Sequence, residues 1–237
     1  MTDNKLTYEG KAKKIYSTDK PDVYLQEFKD DATAFNGLKK DKIPHKGELN
    51  NQISSRIFEY LKENDIPTHF IEKISDTEML VKKVNIIKVE VVCRNIAAGS
   101  LVKKFGFTEG IKLETPIVEY YLKSDELGDP LFTDEHIYEL RLADKYELDT
   151  IKKMTLRIND LLTKFFIEKG IKLVDFKLEF GKDKNGNIIL ADEISPDTCR
   201  LWDSESNKKL DKDRFRFDLG EVEEAYTEIK NRITTCG

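Results

Sequence analysis

The sequence predicts an α+β fold in which strands and helices are mixed within two lobes. Three observations predict it: strand-like segments around one helix in the first third, a long amphipathic helix past the middle, and a charged strand hairpin after that helix. The 237 residues, 39% of them hydrophobic, are enough for one large domain or two small ones. We place a boundary near residue 84, between a mostly β lobe over residues 1–84 and an α+β lobe over residues 85–237.

The elements of the first lobe follow from the spacing of apolar residues. Strands are predicted over Leu6–Tyr16 and Val23–Lys29, around a turn rich in Ser, Asp and Pro. A helix is predicted over Gly47–Asn64, because apolar residues recur there at helical spacing. Strands resume at Thr68–Ile74 and Glu78–Val84.

The second lobe mixes both kinds of element. Alternation over Val89–Cys93 predicts a strand, and helical spacing predicts helices over Thr133–Ala143 and Thr150–Lys169. Gly170 is the stop signal of the longer helix. A last helix is predicted over Glu221–Ile233.

Charge and composition disfavour several classes of protein. With 40 basic and 45 acidic residues the net charge is −5, whereas a general nucleic-acid binder usually needs a basic face. We find no signal peptide and no run of about 18 apolar residues that would cross a membrane. Cys93, Cys199 and Cys236 form neither a disulfide framework nor a CxxC metal motif. We therefore expect a cytoplasmic protein without nucleic-acid or membrane partners.

The hairpin after Leu173 is the most informative segment. In Leu173–Gly181, Val174 and Phe176 begin an apolar face, and Asp175, Lys177 and Glu179 fall on the other face. The following Asn-Gly pair predicts a two-residue turn. That turn would place Glu179 directly opposite Asp192 on the next strand.

Two carboxylates held side by side need a cation. At about 5 Å they repel by roughly 3 kcal/mol at an effective dielectric constant of about 20. Carboxylate oxygens suit Mg²⁺ with phosphate oxygens completing its coordination shell. The alternative is an exposed hairpin edge whose charges face water, and a one-residue slip in register would put the two side chains on opposite faces.

Two basic segments leave two interpretations open. Lys11 and Lys13 follow Gly10 and could bind phosphate, or they could simply keep a strand edge solvated. Arg94 precedes small residues and Ser100 near a helix start, which could form a ligand pocket. The alternative there is a tight packing corner in which Arg94 pairs with a buried carboxylate. Arg200 is suited to fork-like binding of carboxylate or phosphate.

Several separated segments resemble one family. They are YEGKAKKIY at Tyr8–Tyr16, FNG at Phe35–Gly37, KGELNNQIS at Lys46–Ser54, LVKKVNIIKVEVVCRNIAAGSLVKKFG at Leu80–Gly106, LVDFKLEFG at Leu173–Gly181 and ADEISPDTCRLWD at Ala191–Asp203. In this order they resemble the SAICAR synthetase family (phosphoribosylaminoimidazole-succinocarboxamide synthase) of purine biosynthesis, over nearly the whole chain. One departure is His45, at a position where many relatives carry glycine.

The resemblance implies a two-lobed fold related to ATP-grasp and kinase-like folds, with antiparallel sheets, flanking helices and ATP in the cleft between the lobes. The first lobe would bind the ATP phosphates, and the second would bind metal and substrates. The implied reaction joins L-aspartate to the carboxylate of CAIR, the carboxylated aminoimidazole ribonucleotide, through an acyl phosphate. The implied cofactors are ATP, as a substrate, and Mg²⁺, and the implied assembly is a homodimer.

The resemblance also implies roles for individual residues. ATP would be bound by Lys11, Lys13, Lys123, Glu179 and Asp192. The backbone from Lys82 to Val84 would form the hinge that binds adenine. The metal ligands would be Glu179, Asp192 and Asp175. CAIR would be bound by Arg94, Ser100, Asp175, Lys177, Asp197 and Arg200, and the catalytic residues would be Lys13, Asp175, Lys177 and Arg200. Asp129 is a possible neighbour of metal or nucleotide, and the aspartate pocket has no assigned residues.

Two other functions fit the same motifs. A small-molecule kinase would use similar metal and lysine positions and stop after phosphoryl transfer. A noncatalytic nucleotide-binding module would bind Mg-ATP without turnover. The intact set of Lys177, Glu179, Asp192 and Arg200 favours an enzyme over such a module.

Overall fold

The computed structural model describes residues 4–34 and 37–235. Phe35 and Asn36 of the FNG motif, and Cys236, lie outside these residues. The first sheet is antiparallel, with strand order β1-β2-β3-β7-β6. Its strands are β1 (Leu6–Glu9), β2 (Lys13–Ser17), β3 (Val23–Phe28), β6 (Phe70–Lys73) and β7 (Glu78–Lys82), and a separate hairpin is formed by β4 (Asp31–Ala34) and β5 (Lys39–Lys42).

The second sheet is also antiparallel, with order β10-β9-β8-β11-β12 and with β13 pairing to β11. Its strands are β8 (Asn85–Ile96), β9 (Lys112–Leu122), β10 (Leu131–Phe132), β11 (Ile171–Lys182), β12 (Ile188–Ala191) and β13 (Cys199–Asp203). The helices are α1 (Lys46–Glu63), α2 (Ser100–Phe105), α3 (Asp134–Glu139), α4 (Lys145–Ile167), α5 (Asp213–Arg216) and α6 (Val222–Thr234), with a 3-10 turn at Asp125–Leu127. Within the described ranges, no helix is long and apolar enough to cross a bilayer.

Most predicted elements are present, with the following differences. The single strand predicted over Leu6–Tyr16 is wrong, because the chain turns after Glu9 and β1 pairs with β2. Helix α4 begins earlier than predicted, since Asp144 and Glu147 form a capping box. The helix predicted over Thr133–Ala143 is shorter, since α3 ends at Glu139. Strands β4, β5, β9, β10 and β13 and helix α5 were not predicted from the sequence.

Helix α1 explains the one departure from the family motif. His45 precedes the helix with φ of 58°, in the left-handed region that favours glycine. The position therefore requires an unusual backbone conformation, which glycine adopts at lower cost than histidine. The helix itself matches its predicted bounds to within one residue.

One continuous hydrophobic core lies under both sheets. It includes Ile57 and Met79 from the first lobe, and Val91, Phe176 and Leu201 from the second. The boundary predicted near residue 84 falls between β7 and β8, where the chain passes from one sheet to the other. The division into lobes at that residue stays a prediction.

The predicted register of the carboxylate hairpin is wrong by one residue. Glu179 pairs with Ala191, not with Asp192. The connection is a three-residue loop closed by a hydrogen bond from the Asp183 N–H to the Asn187 carbonyl (2.9 Å), and Gly186 has φ of 83°. Such loops place a left-handed residue before the second strand, which glycine supplies.

The predicted apolar face of β11 also needs one correction. An irregularity in the pairing with β13 lies between Leu173 and Asp175. As a result Leu173 and Phe176 both face the main core, and Val174 packs in a smaller cluster with Trp202. Trp202 is thus a packing residue.

Candidate active site

A cavity of about 1030 Å³ lies between the first sheet and the second. The β1–β2 turn and β4 line it on one side, and β8, β11 and the start of β13 line it on the other. Its volume is at the upper end of the range for small-molecule sites. The cavity therefore has room for a nucleotide together with a second ligand.

The centre of the cavity holds a cluster of lysines and carboxylates around Lys177. The Lys177 Nζ lies 2.7 Å from Glu179 Oε1, 3.0 Å from Glu90 Oε1 and 3.6 Å from Asp192 Oδ2. Lys123 pairs with the other oxygen of Glu179. The cluster thus joins both carboxylates of the predicted metal pair through one ammonium group.

Lys13 extends this cluster from the first lobe. Its Nζ pairs with Asp192 and lies 3.1 Å from Glu193 Oε1. Burial acts to lower the pKa of Lys13, but the carboxylates of Asp192 and Glu193 outweigh burial and raise it. Lys13 therefore carries its charge across the physiological pH range.

Asp192 joins the cluster because of its backbone and not because of the strand register. It follows β12 with φ of 64°, so its side chain turns away from the direction that the strand would give it. The Glu179 and Asp192 side chains are only 3% and 15% exposed. The alternative of an exposed hairpin edge is therefore wrong.

Charges in the cluster hold one another in the ionised form. Burial would raise the pKa of Asp192, but Lys13 and Lys177 lower it well below its usual range. Burial would lower the pKa of Lys177, yet Glu179, Asp192 and Glu90 raise it well above its usual value. These opposed charges are suited to exchanging partners with a metal ion and a polyphosphate.

Asp175 lies beside this cluster but is held by two arginines. Arg94 and Arg200 each place a guanidinium nitrogen 2.8 Å from Asp175 Oδ2. Among residues 4–34 and 37–235, no group of three or more His, Cys, Asp or Glu side chains is arranged to hold a metal ion. The role of Asp175 as a third metal ligand stays a prediction.

The packing-corner alternative for Arg94 describes what is observed. Arg94 is buried, and its Nε lies 2.7 Å from Glu119 Oε2, while another nitrogen donates to Ser100 Oγ at 2.7 Å. Gly99 lies against Arg200, because a Cβ on Gly99 would come within 2.6 Å of the guanidinium. Close packing around both arginines thus fixes where their charges lie.

The remaining predicted ligands are spread around the cavity. Lys11 pairs with Asp125 at 2.6 Å across its exposed rim, and Asp129 lines it. Three predicted contacts do not line it: Lys82, Val84 and Ser100. Lys82 Nζ donates to the Thr68 carbonyl at 3.1 Å, and Val84 packs against Gly181. Their ligand roles stay predictions.

Asp197 has protein partners that the sequence did not indicate. Lys46, fully buried, places its Nζ 2.7 Å from Asp197 Oδ2, and the Tyr226 hydroxyl donates to Oδ1 at 2.7 Å. The only available signal was that Lys46 opens the KGELNNQIS motif. A substrate contact by Asp197 stays a prediction, since both of its oxygens are engaged.

Asp211, behind Arg200, gives the protein a testable dependence on pH. Its two oxygens accept the backbone N–H groups of Leu201 and Asp213, each at 2.8 Å. Burial, and then the charge of Asp213, raises the pKa of Asp211 from 3.8 to about 7. Between these pH values the folded protein keeps a proton that the unfolded chain has lost. The free energy of unfolding therefore falls as pH rises through this window.

We expect Asp211→Asn to remove this component of the pH dependence. From about pH 4 to about pH 7 the original protein should lose stability relative to the variant, whose side chain does not titrate. Denaturant unfolding at each pH measures the difference. Parallel stability curves would contradict the raised pKa.

Two antiparallel sheets and a cavity lined by lysine, arginine and carboxylate side chains define an α+β protein suited to binding anionic ligands. A family model described as SAICAR synthetase matches residues 6–233. The chain is 57% identical over 233 residues to phosphoribosylaminoimidazole-succinocarboxamide synthase of Caldanaerobacter subterraneus subsp. tengcongensis, covering 98% of this chain and 99% of the relative. It is 59% identical over 232 residues to the enzyme of that name from Chlorobaculum parvum, covering 97% and 98%. The chain belongs to the SAICAR synthetase family.

Solved structures agree with this membership. The crystal structure of phosphoribosylaminoimidazole-succinocarboxamide synthase from Ehrlichia chaffeensis matches with a TM-score of 0.96 and 48% identity, over 98% of this chain and 100% of the other. A SAICAR synthetase in complex with ADP matches with a TM-score of 0.93 and 51% identity, over 96% and 97%. The fold class and the family resemblance seen in the sequence are therefore confirmed.

Proposed function

We propose that this chain joins L-aspartate to the carboxylate of CAIR, consuming ATP and releasing SAICAR, ADP and phosphate. Family membership supports the reaction, and a relative in complex with ADP supports nucleotide binding. The observation that carries the proposal is the face of β11. There Asp175, Lys177 and Glu179 connect an arginine pair to a lysine–carboxylate cluster within one cavity.

The reaction needs an activated carboxylate, because a free carboxylate is a poor acyl donor. A CAIR carboxylate oxygen attacks the terminal phosphorus of ATP, and ADP leaves with the electrons of the broken P–O bond. The aspartate amine, in its neutral form, then attacks the acyl carbon and displaces inorganic phosphate, losing a proton as the amide forms. Catalysis of phosphoryl transfer depends mainly on positioning and on neutralising charge.

The lysines and carboxylates of the central cluster fit the first step. Lys13 and Lys177 would neutralise the transferring phosphoryl group. Glu179 and Asp192 would hold Mg²⁺, which usually takes one or two protein carboxylates with phosphate oxygens. When bound, the ion supplies positive charge to the polyphosphate. Burial of both carboxylates limits water, which would otherwise hydrolyse the acyl phosphate.

The arginine pair fits the ribonucleotide. Arg94 and Arg200 converge on Asp175. The nitrogens of Arg94 also donate to Glu119, Ser100 and Tyr121. Arg94 therefore positions the pair, and the more exposed Arg200 presents its donors to the cavity. Arginine binds phosphate and carboxylate groups in a fork geometry. A CAIR molecule held there would present its carboxylate towards the central cluster.

An ADP-release assay with each substrate omitted in turn tests the proposal. The amide product, identified by its mass, should form only when CAIR, ATP and L-aspartate are all present. ADP release without aspartate incorporation would favour a kinase. Nucleotide binding without any turnover would favour a noncatalytic module.

We expect Arg200→Lys to weaken CAIR binding selectively. The apparent KM for CAIR should rise by about tenfold or more while the KM for ATP changes by about twofold at most, because a point charge replaces a fork. Arg157→Lys on the exposed face of α4 is the matched control. Equal increases for both substrates would speak against this pocket.

We further propose that the protein is a cytoplasmic homodimer, as the family resemblance implies. Its net charge of −5 disfavours nucleic acid as a partner. Small anionic substrates can still bind in the cavity, where lysine and arginine side chains cluster. Light scattering coupled to size-exclusion chromatography measures the assembly state.

A further inference from the structure

A second pair of cations lines the cavity beyond the residues discussed above. Lys212 is the residue before α5, and Arg216 lies four residues later at the end of this short helix. Both line the cavity. Residues four apart in a helix lie one above the other. The two side chains therefore present their charges to the same part of the cavity.

Lys212 has little protein charge to balance it. Its side chain is 14% exposed, and within residues 4–34 and 37–235 its one carboxylate neighbour at ion-pair distance is Asp197, at 3.9 Å. That Asp197 oxygen already lies 2.7 Å from Lys46, and the other oxygen accepts the Tyr226 hydroxyl. Burial lowers the pKa of Lys212 in spite of Asp197. A buried cation without a close counterion is costly, so a bound anion would stabilise it.

The position of this pair is close to the arginine pair. Arg216 lies 2.6 Å from Asp213 Oδ1, and Arg200 lies 2.9 Å from the other oxygen of the same carboxylate. Asp213 thus joins the two groups of cations. An anion bound by Lys212 and Arg216 would lie next to a ligand bound by Arg200.

The opposite wall of this corner comes from the first lobe. Ala32 and Ala34 of β4 pack against Phe215 of α5, which holds the strand against the helix. Ala32, Thr33 and Ala34 all line the cavity. Lys212 and Arg216 therefore lie in a corner of the cavity that is fixed by the packing of β4 against α5.

We propose that Lys212 and Arg216 bind a carboxylate of the amino-acid substrate, L-aspartate. The inference rests on the proposed function, in which three anionic substrates share the cavity. The lysine–carboxylate cluster matches the polyphosphate, and the Arg94–Arg200 pair matches the ribonucleotide. Lys212 and Arg216 adjoin the ribonucleotide pair through Asp213, as required for an amine that must reach the activated carboxylate of CAIR.

Steady-state kinetics of Lys212→Met test this assignment. The KM for L-aspartate should rise by about tenfold or more, while the KM values for CAIR and ATP change by about twofold at most. The inhibition constant of succinate, a dicarboxylate without the amine, should rise in parallel. Lys152→Met on the exposed face of α4 is the control. Lys212→Arg keeps the charge and should keep a lower KM for aspartate than Lys212→Met does.

An unchanged KM for aspartate would overturn the assignment. An increase in KM confined to CAIR would also overturn it, because the ribonucleotide phosphate would then bind at Lys212 and Arg216. A purely structural role would lower the melting temperature and leave the three KM values in their original ratio, which would also overturn it. If the original protein made no amide product, the proposed function would fail by itself. The carboxylate site would then be tested by the melting temperature with and without succinate. Succinate should raise the melting temperature of the original protein but not that of Lys212→Met, and an equal rise in both would overturn the assignment.

Discussion

Replacing Lys177 by methionine is expected to lower kcat by about 10³-fold. Methionine keeps most of the length of the side chain and removes the charge that Glu90, Glu179 and Asp192 surround. Without that charge, the phosphoryl group loses a fixed cation at the point where the two ligand sites meet. Turnover with all three substrates at saturation measures the effect.

Lys172→Met is the matched control for this variant, because Lys172 lies on the same strand outside the cavity and hydrogen-bonds to Asn207. Its kcat should stay unchanged. A melting curve for each variant separates lost chemistry from lost folding. If Lys177→Met kept its kcat to within about tenfold of the original, Lys177 would not belong among the residues that stabilise the transition state.

Removing the charge of either paired carboxylate should have the second largest effect. We expect Asp192→Asn and Glu179→Gln each to lower kcat by about 10²-fold or more and to raise the Mg²⁺ concentration needed for half-maximal rate. Asn tolerates the left-handed backbone at position 192 better than most residues, so Asp192→Asn should keep the fold. Initial rates over a Mg²⁺ titration give both quantities.

Asp149→Asn, on the exposed side of α4, controls for a general loss of negative charge. It should leave both the rate and the Mg²⁺ dependence unchanged. Original kinetics for Glu179→Gln and Asp192→Asn throughout the titration would remove both residues from the metal site. A lowered kcat with an unchanged Mg²⁺ dependence would leave them as partners of Lys13 and Lys177 only.

The face of β11 could be predicted from the sequence because alternation along a strand is a local property. Asp175, Lys177 and Glu179 do share one face. The register of the opposite strand, β12, depended on the loop, and the predicted register was wrong by one residue. The Asp183 side chain accepts the N–H groups of Asn185 and Asn187, which favours a three-residue loop over the expected two-residue turn.

Asp192 lies in the predicted cluster because of its own backbone conformation and not because of its position along the strand. With the corrected register, regular strand backbone would have sent its side chain to the other face. Its positive φ reverses that direction, and Lys13 and Lys177 balance the charge there. The family motif carried this information, whereas the alternation pattern did not.

Contacts between distant segments were beyond the reach of local patterns. Lys46 and Asp197 are 151 positions apart, and neither stands out by composition. Strand β9 contains Pro116, and proline is a signal against strands, so the local pattern does not favour it. The side chains that orient the site depend on tertiary packing, so their partners could be identified only once the fold was known.

The shared core beneath the two sheets constrains how ligands enter. Because Ile57 and Met79 pack in one apolar cluster with Val91 and Phe176, wide separation of the two halves would expose that cluster to water. Thermal melting should accordingly be one cooperative event for both halves. Ligands are then expected to enter by local movement of the two turns at the rim, where the exposed side chains of Lys11 and Asp125 pair across the opening.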